Sequence, residues 1–134
     1  MSPHLLKVLM EMGHGDEIVI ADGNFPGASL AQNLVRCDGL GATELLTSIL
    51  YLFPLDTFVE QPVALMEVVD KSQPDPPIWA DFKACIKAAE NRLVGIKYEE
   101  RQAFYNRAKQ AYAIVATGEE ALYANVILKK GVVT

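Results

Sequence analysis

The side chain best suited to proton chemistry in this sequence is His14, held between Gly13 and Gly15. Histidine gains and loses a proton near neutral pH more readily than any other side chain. The flanking glycines give it backbone freedom and little local packing. Those same features also describe an idle histidine on a surface loop. Asp22 closes the run Ile18-Val19-Ile20-Ala21 and precedes a glycine-rich loop. Open α/β sheets bind ligands at the carboxyl ends of their strands, so an acid there suits a hydroxylated ligand. Equally, an aspartate before Gly23 can simply start a turn. Arg101 can hold ring or hydroxyl oxygens, or sit in a solvated charge cluster as most arginines do. Tyr123-Ala124-Asn125 combines a tyrosine, whose face and hydroxyl suit a sugar, with an amide that both donates and accepts. The alternative is a strand-entry aromatic packed on the core.

These residues need elements to carry them. Ser2 followed by Pro3 is a helix start, with a hydroxyl cap and proline in the first turn. Leu5, Leu6, Leu9 and Met12 give that helix an apolar stripe, and Gly13 is expected to end it in a left-handed cap. Residues 17–21 read as a strand buried on both faces. Further strands are expected at 34–37, 63–69, 93–97, 111–117 and 125–129, the fourth of these six being weak. Helices are expected at 42–53, stopped by Pro54, and at 78–92, entered through a proline-rich loop. A third, at 99–110, carries Glu99 and Glu100 in its first turn, where the helix dipole favours acids. Strands alternating with helices define an α/β class, a single three-layer α/β/α domain over residues 1–134 with a largely parallel central sheet. A five-residue strand spans roughly 17 Å at ~3.3 Å per residue. His14 and Asp22 therefore lie near opposite ends of one strand. They can serve one ligand only if the glycine loop folds back or a second subunit completes the site.

Composition narrows the function. The 12 basic and 17 acidic side chains leave a net charge of -5, which argues against a nucleic-acid groove, since that needs a basic face. Hydrophobic residues make up 51% of the chain and the mean hydropathy is +0.15. A small domain cannot hide that much apolar surface alone, so a homo-oligomer is expected. Cys37 and Cys85 fit no metal spacing and read as reduced core residues. His14 has only Asp16 and Glu17 beside it and no second histidine spaced to join it, so no metal site is expected. The glycine pattern is neither a dinucleotide nor a phosphate loop. Nothing reads as a membrane span, and the expected compartment is the cytoplasm.

Taken together, several segments resemble the fucose mutarotase family and, more loosely, the related D-ribose pyranases. They are Gly13-His14-Gly15-Asp16-Glu17, Asp22 with Asn24-Phe25-Pro26, Asp38-Gly39-Leu40 and Pro54-Leu55-Asp56. Phe104-Tyr105 with Arg107-Ala108, Thr117-Gly118-Glu119 and Tyr123-Ala124-Asn125 continue the match. The resemblance implies a cofactor-free isomerase interconverting the α and β anomers of a free monosaccharide, L-fucose first. It implies pentameric rings, often a decamer, with sites between subunits. It maps the catalytic histidine onto His14 and the sugar contacts onto Asp22, Arg101, Tyr123 and Asn125. His14 as imidazolium would then protonate the ring oxygen, and Asp22 would hold sugar hydroxyls or orient the imidazole. Ala124 stands where fucose mutarotases more often have glycine, and is expected to add a methyl near the pocket. A D-ribose pyranase-type isomerase, or a non-catalytic sugar-binding accessory of uptake, is the alternative.

Overall fold

The computed structural model describes residues 1–133. Its centre is a six-stranded sheet in the order β2-β5-β1-β6-β3-β4. The strands are β1 (Glu17–Ala21), β2 (Leu34–Cys37), β3 (Val63–Met66), β4 (Ile96–Glu99), β5 (Ala113–Thr117) and β6 (Val126–Lys129). Neighbours pair in parallel except at β6, which runs antiparallel to both β1 and β3. The sheet is thus largely parallel with one reversed strand inside it. The reversal brings the amino end of β6 to the edge where β1 and β3 have their carboxyl ends.

Strand periodicity explains the layers. Alternate side chains of a strand point to opposite faces. Ile18, Ile20, Val63, Leu65, Ala113, Val115, Val126 and Leu128 pack into one core. Helices α1 (Pro3–Glu11), α3 (Ala42–Leu50) and α4 (Ile78–Glu90) cover it with residues such as Leu5, Leu46 and Phe82. Val19, Ala21, Ala64, Met66, Ile114 and Ile127 form the opposite core. Helix α5 (Arg101–Gln110) closes that side with Phe104 and Ala108, and short α2 (Gly27–Leu30) packs there through Leu30. The expected α/β/α layering follows directly.

Several boundaries differ from the sequence expectations for local reasons. Ser2 caps α1 as expected, accepting from the Leu5 amide at 3.2 Å. The helix ends through an extended Met12, whose N–H bonds the Val8 carbonyl, so Gly13 is not a left-handed cap. The left-handed glycine of this turn is Gly15, at φ +89°. Glu99 ends β4, and Glu100 is the cap of α5, accepting from the amides of Gln102 and Ala103. Those two amides hold the Glu100 carboxyl below the usual range. Helix α4 stops two residues early because Asn91 takes a left-handed conformation at φ 53°. Cys37 and Cys85 are free thiols that lie half-buried against the core, not within it as the sequence had suggested, and burial pushes the Cys37 thiol up, with Asp38 adding to the effect.

Candidate active site

At the carboxyl edge of the sheet, Asp22 lies one residue beyond β1 and Asn125 one residue before β6. The reversal of β6 makes them neighbours although they are 103 residues apart. The Asp22 amide donates to Asn125 Oδ1 at 2.8 Å, and Asn125 Nδ2 donates to Asp22 Oδ2 at 3.2 Å. The Asn24 amide donates to Asp22 Oδ1 at 3.0 Å. Both side chains are buried, and this reciprocal pairing satisfies them as buried polar groups require. Thr117, at the end of β5, donates its hydroxyl to the Ala21 carbonyl at 2.7 Å and fixes the same corner.

Tyr123 has φ 58°, a conformation uncommon for residues other than glycine and found most often where surrounding structure enforces it. Here Trp79 Nε1 donates to its carbonyl at 3.0 Å, and its hydroxyl accepts from the Val69 amide at 3.1 Å. Arg101 opens α5. That helix is tied to β1 by the two-pronged pair of Arg107 with Glu17, at 3.0 and 2.6 Å. Hydrogen bonding to Glu17 raises the Arg107 guanidinium further, despite its partial burial.

Asp22, Arg101, Tyr123 and Asn125 therefore line one pocket of about 250 Å³. Asn24, Phe25, Met66, Tyr105 and Leu122 complete the wall. Four of the five residues singled out in the sequence come together here. The additional lining residues went unassigned, although Asn24, Phe25 and Tyr105 lie in the segments that carried the resemblance. Ala124 is fully buried in the core facing α4 and is not part of the pocket wall, so its methyl is not added to the site.

His14 is absent from that wall and sits beyond the amino end of β1, on the opposite edge. Its partner is not Asp22 but Asp56, with Nε2 3.1 Å from Oδ1. Its ring packs against Phe58 at 5.3 Å between centroids. The Asp56 carboxyl is buried, which alone would raise it. The Phe58 amide, His14 and Lys129 outweigh that effect and leave it below the usual carboxylate range. The loop is held by main-chain bonds from Gly15 to Lys130 and from Lys130 to Asp16, both 2.8 Å. The buried Lys130 ammonium donates to the carbonyls of Leu9 and Met12 at 3.2 and 2.7 Å, satisfying the end of α1. The loop therefore does not fold back toward Asp22. Among the described residues no group of His, Cys, Asp and Glu is placed to hold a metal ion.

The chain is a layered α/β domain with a small, polar-floored pocket at the carboxyl edge of its sheet, the place where open α/β sheets hold ligands. The chain belongs to the RbsD / FucU transport protein family, whose model matches residues 1–133. It is 47% identical over 131 residues to the L-fucose mutarotase of Histophilus somni strain 2336, covering 98% of this chain and 91% of that protein. The fucose mutarotase of Homo sapiens is 49% identical over 138 residues, covering 98% and 89%. Among solved structures, the fucose mutarotase of Streptococcus pneumoniae in complex with L-fucose superposes with a TM-score of 0.95. That match has 56% identity and covers 99% of this chain and 94% of the other.

Proposed function

We propose that this protein is an isomerase that interconverts the α and β anomers of L-fucose. The observation that carries the reading is the convergence of Asp22, Asn125, Arg101 and Tyr123 on one monosaccharide-sized pocket, in a chain this similar to fucose mutarotases. Asp22 and Asn125 offer acceptors and donors to ring hydroxyls, and Arg101 brings a cation to the oxygens. Met66, Leu122 and Phe25 give apolar wall, which suits the methyl group of a 6-deoxy sugar.

The reaction opens the ring by protonating its oxygen while the anomeric hydroxyl loses a proton. The aldehyde then turns and recloses. General acid–base assistance of such transfers is worth typically ~10²–10⁴-fold. His14 is the proposed acid. Since it lies on the edge opposite the pocket, it serves the pocket of a neighbouring copy. An amino edge seated on the next copy's carboxyl edge is a head-to-tail contact, which closes into a ring when the rotation permits. The proposed assembly is a pentameric ring or a pair of them, acting in the cytoplasm. Exposed apolar side chains support association: Phe58 beside His14 is 75% exposed and Leu122 at the pocket mouth 68%.

Saturation-transfer NMR on the anomeric protons of L-fucose, D-ribose and D-galactose tests the reading. Transfer between anomers is expected to be fastest for L-fucose. His14→Ala is expected to slow it at least about tenfold while sugar still binds. Line broadening without transfer, in the unaltered protein, makes it a binder rather than an isomerase.

A further inference from the structure

We propose that Asp56 is a positioning residue for His14, fixing the imidazole through Nε2 and leaving Nδ1 as the nitrogen that meets the sugar. The inference rests on His14 being the proton donor and goes beyond it, to the choice of nitrogen and the group that makes the choice.

The geometry is unequal on the two sides of the pair. The Asp56 side chain is 4% exposed, whereas that of His14 is 47% exposed. Asp56 is immobilised before any sugar arrives. Its amide donates to the Lys129 carbonyl at 3.0 Å, and its Oδ1 accepts from the Phe58 amide at 3.1 Å. Phe58 in turn lies against the imidazole, the rings tilted by 52°. A carboxylate held this way is a fixed acceptor, and an ionised carboxylate only accepts. Nε2 must therefore carry a hydrogen whenever the 3.1 Å bond to Asp56 exists.

That requirement sets the other nitrogen. In the imidazolium, Nδ1–H is the donor left over. It passes its proton to the ring oxygen, which keeps the electron pair of the breaking C1–O bond and becomes a hydroxyl. The anomeric oxygen becomes the aldehyde carbonyl as its proton leaves to water. The imidazole that remains is the Nε2–H tautomer, with a lone pair on Nδ1. It can take the same proton back when the ring recloses on either face. One tautomer thus serves both directions of a reversible reaction, with no ring flip between them. Without Asp56 nothing holds the hydrogen on Nε2, and an amide in place of an orienting carboxylate puts a histidine in the wrong tautomer.

Two-bond ¹⁵N–¹H correlation spectra of the intact assembly read the tautomer of neutral His14. The expected form is Nε2–H in the unaltered protein and a mixture or Nδ1–H in Asp56→Asn. Asp56→Asn should lose about tenfold or more in the rate of anomer exchange at saturating L-fucose, with KM moving less than about twofold. An Nδ1–H tautomer in the unaltered protein overturns the proposal, and it can be measured even where Asp56→Asn fails to fold. So does a wild-type rate for Asp56→Asn while His14→Ala remains slow. A wild-type rate for His14→Ala overturns instead the reading of His14 as the acid.

Discussion

Asp56 is the residue whose behaviour most depends on its surroundings. The Phe58 amide, His14 and Lys129 favour its charged form against the cost of burial. Its folded-state pKa therefore lies below its unfolded value. The stability this contributes is complete above the unfolded pKa, near 4 for an aspartate, and is lost as pH falls through the folded value. Melting temperatures of the unaltered protein and Asp56→Asn should differ at neutral pH and converge below about pH 4. A difference independent of pH would mean that the substitution costs packing rather than charge. Asp56 was visible in the sequence only as part of Pro54-Leu55-Asp56. Nothing within a single segment announces a contact between residues 14 and 56, because pairing across loops depends on the register of strands. Asp22 and Asn125 were legible because each abuts an apolar strand, and strand ends are where open sheets bind ligands. Their mutual bond was not, since it needs the direction of β6.

The hydrophobic pattern located most elements but not their polarity. Residues 17–21 read as a strand and form one, because a run of buried apolar side chains this short leaves few other choices. Helix α2 was hidden by Phe25-Pro26-Gly27, which reads as a breaker although proline and glycine are tolerated at a helix start. Strand β4 formed later in the chain than expected, at Ile96–Glu99. Periodicity carries no sign of direction, so the reversal of β6 was beyond reach. At this scale Lys130 does the joining, with its ammonium on the end of α1 and its backbone on the His14 loop. Lys130→Met keeps the stem but leaves the Leu9 and Met12 carbonyls without that donor. Denaturant unfolding should show a loss of ~1–3 kcal/mol, the usual cost of stranding buried polar groups. An unchanged midpoint would mean that water replaces the ammonium.

For the whole molecule, the strand's length between His14 and the pocket makes activity, on the proposed reading, a property of the assembly. His14→Ala and Asn125→Ala, each slowed alone on the proposed reading, should partly complement one another when co-assembled from equal amounts. Random mixing returns roughly a quarter of the sites with both residues intact when each site draws on two subunits. No recovery in verified mixed rings would place both residues in one subunit's site. The excess of apolar residues fits this dependence. Leu93, beside the groove between α4 and β4, is 98% exposed. The central position of β6 has a consequence for synthesis. It alone joins β2-β5-β1 to β3-β4, yet it is translated after all of them. Until the ribosome reaches it, the nascent chain holds two unfinished sheets whose inner edges are open to strands of other chains. A chain truncated just before residue 126 would lack the strand that joins the two halves of the sheet and leave both inner edges unpaired.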